Sequence, residues 1–355
     1  MTRLFDYSKL ADRTWDAEIV SYLSKIHEFK GKQAFYLRQN PVALERMIEI
    51  ARIQSTEASN RIEGIVTTNS RLKSLVADKT TPQNRDEEEI LGYRNVLNLI
   101  HENYDAIPIR SSYILQLHQE LLKYTNYSFG GRFKTVPNEI AAVGSNGEKV
   151  AMFKPLEPYE TPDAIERMCA SYQDALEKEF VDELILIPCF ILDFLCVHPF
   201  IDGNGRMSRL LTLLMLCRGG YFVGRYVGVE KAIADTKEAY YDALKRSDQG
   251  WREGKNDPTP FIKYSLGATA SCCREFENRM SFVRDSDAKR NSYACVKNCV
   301  ERQIGKFTKQ DVLSACPNLG RSSVESALKK LVEDGTLVRL GVGRNTRYVR
   351  ADSVR

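Results

Sequence analysis

The stretch His198–Arg209, HPFIDGNGRMSR, constrains this chain more than any other. It sets a histidine, an acid, an asparagine, two glycines and two arginines between two apolar runs, ELILIPCFILDFLCV (183–197) and LLTLLML (210–216). Glycines on either side of Asn204 let the backbone turn tightly, so that successive N–H groups face one concavity, an anion nest. The run that follows reads as a helix. The nest therefore opens onto a helix N-terminus, where free N–H groups and the helix dipole favour phosphate. Arg206 and Arg209, three apart on that helix, share a face and offer forked donors to further phosphate oxygens. Asp202 is a hard oxygen ligand suited to Mg2+. His198 ends the preceding helix, and an imidazole there suits a general base for a hydroxyl. Phe200 is the apolar pin that holds the loop in the core.

Composition narrows the class. The apolar run 183–197 contains Pro188 and Asp193 and falls short of the roughly 20 residues that a membrane span needs, so it reads as a core helix. The start, MTRLFDYSKLADR, lacks the apolar stretch of a secretory signal, and the expectation is a cytoplasmic protein with no membrane partner. Nine cysteines with no CxxC spacing read as reduced, buried thiols. Cys295 and Cys299 lack the accompanying pair that a metal site would need. The net charge of +4 does not by itself argue for nucleic acid. Residues 285–355, however, hold fourteen Lys/Arg against eight Asp/Glu, an excess of six that leaves the remainder slightly negative.

Hydrophobic period predicts helices over 43–62, 86–103, 111–124 and 161–178, the last opening with Thr161 as cap and Pro162 at the first turn. Between the last two, TVPNEIAAVG (135–144) and EKVAMFKPL (148–156) read as strands joined at SNG (145–147), a hairpin signal. A lone hairpin is weak in water and must lie on something. From about 285 the pattern becomes helices over 288–302, 308–315 and 321–334, then GTLVRLGVGRNTRYVR, a strand, a glycine-rich turn and a strand. This order resembles a winged helix-turn-helix. The fold class is therefore mainly α with a β-hairpin, plus a small α+β module at the C-terminus. The expected division is 1–84, 85–270 and 285–355.

Eight specified residue types of the motif H-x-F-x-[DE]-G-N-G-R-x-x-R fall in register at 198–209. The chain resembles the Fic family of nucleotide-transferring enzymes. The resemblance implies a helical core in which two central helices flank this loop, and transfer of AMP from ATP to a Ser, Thr or Tyr hydroxyl of a target protein. Carried over, His198 is the base, Asp202 holds Mg2+ on the α- and β-phosphates, and Gly203, Asn204 and Gly205 form the anion hole, with Asn204 on the α-phosphate. Arg206 serves the triphosphate and Arg209 reaches the γ-phosphate. The hairpin resembles the family's flap, which positions a target segment by main-chain pairing. Thr135–Gly144 are its candidate residues, with Val136, Ile140, Ala141, Ala142 and Val143 facing the target segment.

The segment SNRIEG, Ser59–Gly64, matches the family's inhibitory pattern [ST]-x-x-x-E-[GN]. The resemblance implies that Glu63 pairs with Arg209 and withholds it from the γ-phosphate. An alternative is that Glu63 orients water for removal of AMP from the target. Tyr240, Tyr241 and Leu244 read either as apolar faces for adenine or as plain core. At Asp248 the family often has asparagine; a carboxylate only accepts, so the preference for adenine is left open. Ser322, Ser323, Lys329, Lys330, Arg344 and Arg347 are candidate DNA contacts of the winged helix. Further expectations are auto-AMPylation and a homodimer. The competing class is a DNA-binding regulator in which the Fic domain is a sensor, or transfer of another nucleotide by the same site.

Overall fold

The computed structural model describes residues 3–39, 41–138, 140–143, 149–179, 181–288, 292–303, 305–317, 319–341 and 346–351. In chain order the elements are α1 (Ala17–Gln39), α2 (Pro41–Ile62), α3 (Asn69–Val76), α4 (Arg85–Asn103), α5 (Ser111–Leu121), β1 (Ile140–Val143), β2 (Lys149–Phe153), α6 (Thr161–Lys178), α7 (Glu183–Val197) and α8 (Asn204–Arg218). There follow α9 (Val223–Tyr226), α10 (Val229–Asp235), α11 (Lys237–Ser247), α12 (Thr259–Ala288), α13 (Ser292–Glu301), α14 (Lys309–Ala315), α15 (Arg321–Glu333), β3 (Leu337–Leu340) and β4 (Arg347–Arg350). The chain forms two compact units, Met1–Lys30 with Ala51–Cys272, and Gly31–Ile50 with Cys273–Arg355. Residues 31–50 thus group with the C-terminal part.

In the first unit α7 packs on α6 and α8, and α4 packs on α5 and α8. Every residue of α7 from Leu184 to Val197 is buried, as a helix that is apolar all round requires. Its one internal acid, Asp193, is satisfied from other segments. Arg3 Nη2 donates to its Oδ1 at 2.9 Å, Trp251 Nε1 to the same oxygen at 2.6 Å, and Tyr7 OH to Oδ2 at 2.9 Å. A carboxylate inside a core is tolerable only when paired and hydrogen-bonded. No helix among the described residues is long and apolar enough to cross a membrane.

Two details depart from the sequence reading. Glu160, not Thr161, is the N-cap of α6, because the Thr161 hydroxyl turns back to the Glu157 carbonyl at 3.0 Å. The hairpin is shorter than its text. β1 pairs antiparallel with β2 from Ile140↔Phe153 to Val143↔Lys149, while 135–138 form no strand. Pro137 has no N–H for a ladder. On either side of it, Lys134 N donates to the Pro199 carbonyl at 2.8 Å and Asn138 Nδ2 to the Phe200 carbonyl at 2.9 Å. These residues are spent on the 198–204 loop instead. The turn SNG lies outside the described residues, as do Glu139 and Gly144.

In the second unit Thr308 and Asp311 close a reciprocal capping box at the start of α14. Helices α13, α14 and α15 enclose a core of Val296, Val300, Val312, Val324, Leu328 and Leu331, with Cys295, Cys299 and Cys316 among them. β3 and β4 pair antiparallel, Leu337↔Arg350 to Leu340↔Arg347. The helix–helix–helix–ribbon order matches the text; the turn that carries Arg344 lies outside the described residues. All nine cysteines are buried, and none is in a disulfide.

Candidate active site

The α7–α8 loop is held rigid by its own polar residues. His198 is the C-cap of α7 at φ 51°, ψ 62°, a left-handed conformation that is rare outside glycine and that turns the chain sharply out of the helix. Its Nδ1 lies 3.3 Å from the Leu195 carbonyl. A carbonyl only accepts, so Nδ1 carries the proton and Nε2 presents its lone pair. Burial pushes the imidazole pKa down to about 4, so the ring is neutral at physiological pH, the form a base requires.

Asn204 closes the loop. Its Oδ1 accepts from the Phe200 N–H at 2.9 Å and its Nδ2 donates to the Phe200 carbonyl at 2.8 Å. The side chain is 3% exposed. Both polar atoms of the side chain are thus bonded to the loop backbone, and its backbone N–H lies at the start of α8. The first intrahelical bond of α8 runs from Met207 N to Gly203 O at 2.8 Å. The N–H groups of Asn204, Gly205 and Arg206 therefore have no carbonyl behind them in the helix and form the anion-binding end. Gly203 sits at φ 84°, where a side chain would be strained.

Arg206 is likewise turned inward. Its side chain is 1% exposed and pairs with the buried Glu89 of α4 at 2.7 Å and with Asp202 Oδ2 at 3.4 Å. In this conformation it braces Asp202. Asp202 keeps an open carboxylate, 42% exposed, whose Oδ1 accepts the Gly203 N–H at 2.6 Å. Among the described residues no three His, Cys, Asp or Glu side chains converge into a metal cage. One open carboxylate beside an anion-binding end fits a Mg2+ that keeps waters and shares phosphate oxygens.

Arg209 is gripped by the end of α2. Nε donates to Ser59 Oγ at 2.8 Å, Nη2 to the Ser59 carbonyl at 3.0 Å and to Glu63 Oε1 at 2.7 Å. Ser59 is fully buried. The Glu63 carboxylate reaches as far as the nest itself: a Cβ on Gly205 would lie 2.3 Å from Glu63 Oε1, so the glycine is needed for this approach. Lys237 Nζ donates to the Ile62 carbonyl at 2.9 Å and secures the same helix end. Farther up α2, Ser55 donates to the buried Glu230, which also accepts from Tyr93.

Of the aromatic pair, Tyr240 is 5% exposed and packs edge-on against Phe261 and Tyr264; it is core. Tyr241 is 42% exposed with Lys237 5.8 Å from its ring centroid. Leu244 is half-buried. Asp248 caps α11, and burial raises its carboxyl pKa to about 6. In the flap, Val136 is 55% exposed and Ile140, Ala141, Ala142 and Val143 form β1.

Sequence reasoning missed Lys134 and His118, and gave Asn138 only as part of the flap range. Lys134 Nζ donates to Asn138 Oδ1 at 2.9 Å and to the Val197 carbonyl at 3.1 Å, and burial lowers its pKa to about 8. The carbonyls of Val197 and Phe200 that Lys134 and Asn138 reach lie some sixty residues away, and no local pattern marks them.

Residues 108–216 match the family model described as Fic/DOC family. The chain is 24% identical over 259 residues to a protein adenylyltransferase Fic of Nematostella vectensis, covering 70% of this chain and 53% of that protein. It is 26% identical over 271 residues to the protein of that name in Drosophila willistoni, covering 73% and 49%. The chain thus spans about half the length of the curated relatives it matches. Among solved structures it resembles a Fic family protein from Desulfovibrio desulfuricans (TM-score 0.60, 23% identity, 95% of this chain and 97% of that one). It also resembles Fic-1 of C. elegans (TM-score 0.57, 19% identity, 74% and 73%).

Proposed function

We propose, from the match of residues 108–216 to the Fic/DOC family model, that the chain transfers AMP from ATP to a hydroxyl of a target protein and that Glu63 restrains it. The catalytic core is assigned to 85–270. The observation that carries the reading is the loop in which a neutral His198, an open Asp202 carboxylate and the free N–H groups of α8 occur together. His198 Nε2 takes the proton of the target hydroxyl. The hydroxyl oxygen attacks the α-phosphorus, the bond to the β-phosphate oxygen breaks, and pyrophosphate leaves. The N–H groups of Asn204, Gly205 and Arg206 stabilise phosphate charge as it shifts. Asp202 would hold Mg2+, which neutralises phosphate oxygens when bound. Val136 and β1 would carry the target segment by strand addition, and Tyr241 would border the base.

Restraint follows from competition for one cation. While Arg209 is bonded to Ser59 and Glu63, it is not free for a terminal phosphate, and the Glu63 carboxylate repels phosphate from the nest at Gly205. The test is transfer of label from α- and γ-labelled ATP by the wild type, Glu63→Gly and Glu63→Gly/His198→Ala. The reading requires α-label in protein, strongest in Glu63→Gly and lost with His198. Transfer of γ-label instead would make the chain a kinase.

A second reading concerns the C-terminal unit. Arg321, Ser322, Lys329 and Lys330 on α15 and Arg339 and Arg347 on the ribbon are exposed, the charge distribution of a duplex-binding face. Glu325 offsets part of it by pairing with Lys309 and Arg321. Duplex binding that falls steeply with salt is the expected result; binding indifferent to salt would remove this reading.

A further inference from the structure

Among the described residues, His118 is a buried side chain next to the loop to which the mechanism gives no task. His118, on α5, is fully buried. Its ring stacks on Phe200 with centroids 3.6 Å apart and planes at 8°. Nε2 lies 3.0 Å from the backbone carbonyl of Asp202, and Nδ1 lies 3.1 Å from the N–H of Gly131. The partners fix the tautomer: a carbonyl accepts, so Nε2 carries the proton; an N–H donates, so Nδ1 offers its lone pair. His198 is held in the opposite tautomer by Leu195.

The bond to Asp202 sets the plane of the 202–203 peptide. In a trans peptide the C=O and the following N–H point opposite ways. With the Asp202 carbonyl turned to His118, the Gly203 N–H is turned to the Asp202 carboxylate, where it bonds Oδ1 at 2.6 Å. Without His118 the plane is free to rotate about Gly203, whose lack of a side chain removes any barrier to other φ values. The other nitrogen ties the same ring to Gly131, three residues before Lys134, whose ammonium bonds the Val197 carbonyl.

We propose that His118 is a positioning residue that presents the Asp202 carboxylate to the metal-bound nucleotide and links that carboxylate to the base of the flap. This rests on the function proposed above. Groups that orient a metal ligand by hydrogen bonding contribute about 10–100-fold in metal affinity or activity. The two arms are separable by substitution. Glutamine places its amide N–H near the position of Nε2 and keeps the Asp202 arm. Asparagine places its carbonyl oxygen near Nδ1 and keeps the Gly131 arm.

The experiment measures ATP affinity by calorimetry with and without Mg2+ on Glu63→Gly, Glu63→Gly/His118→Gln and Glu63→Gly/His118→Asn, alongside thermal unfolding. His118→Gln should retain the gain in affinity that Mg2+ confers on the parent. His118→Asn should lose about 10-fold or more of that gain while Mg2+-free affinity stays put. Equal Mg2+ dependence in the asparagine variant and the parent overturns the inference alone. A parent that binds no ATP overturns the functional reading and this inference with it. Should either variant fail to fold, a long-range 15N–1H correlation spectrum of the wild type decides: the His118 ring proton on Nε2 supports the assignment, and on Nδ1 overturns it.

Discussion

The α7–α8 loop and the outer face of α15 are both polar and both read as places for an anion, yet they are built in opposite ways. In the loop, Asn204 is hydrogen-bonded to Phe200 and His198 to Leu195, and Arg206 is ion-paired with Glu89 and Asp202; Asn204, Arg206 and Arg209 are buried. On α15, Arg321, Lys329 and Lys330 are exposed, and the ion pairs of Arg321 and Lys329 are with exposed acids that water screens. A site that must stabilise developing charge needs fixed dipoles in a water-poor setting. A surface that meets a polyanion needs only mobile cations. Substitutions in the loop should therefore act singly and strongly, and those on α15 weakly and additively.

The largest expected effect is that of His198→Ala, a fall of about 100- to 10,000-fold in the transfer rate of the Glu63→Gly chain, read as initial rates; a loss under tenfold would put the base elsewhere. Next comes Glu63→Gly itself. Charge-assisted hydrogen bonds contribute about 1.5–3 kcal/mol, so freeing Arg209 should raise nucleotide affinity or rate about 10- to 100-fold over the wild type. Unchanged values would mean that Arg209 is not the contested group. A smaller effect lies in the pH profile. Because burial holds the His198 pKa near 4, the base stays neutral on acidification until that value is approached, and kcat/KM of the released enzyme should hold from neutrality to about pH 5 before falling. An acid limb near the usual histidine value would show an open imidazole. The smallest effect belongs to α15: Lys329→Ala should lower the salt slope of duplex binding by about 1 and leave nucleotide transfer unchanged.

Much of this was legible in the residues. The apolar text of α7 and α8 marks two core helices, and the glycines around Asn204 mark the turn between them. The six residues from Ser59 to Gly64 name the partner that Arg209 in fact has. What the text hid is the direction in which side chains point. Motif residues that look alike as phosphate ligands divide into those turned inward, Asn204 and Arg206, and those left to face an anion, the backbone N–H groups. That division depends on Glu89, His118 and Lys134, which reach the loop from α4, α5 and the flap base and carry no local signature. Similarly, Tyr240 and Tyr241 are adjacent in sequence but lie on different sides of α11, so only one is exposed. The strand text at 135–138 failed for a comparable reason: its hydrogen bonds go to the loop, a long-range competitor that alternation does not reveal.

The most direct test of the account is the intact mass of the Glu63→Gly chain after incubation with ATP and Mg2+, set beside Glu63→Gly/His198→Ala. The account predicts a covalent adduct with the mass of AMP on a hydroxyl side chain of the first chain and none on the second. An adduct that survives the loss of His198, or a phosphate adduct in its place, would contradict it.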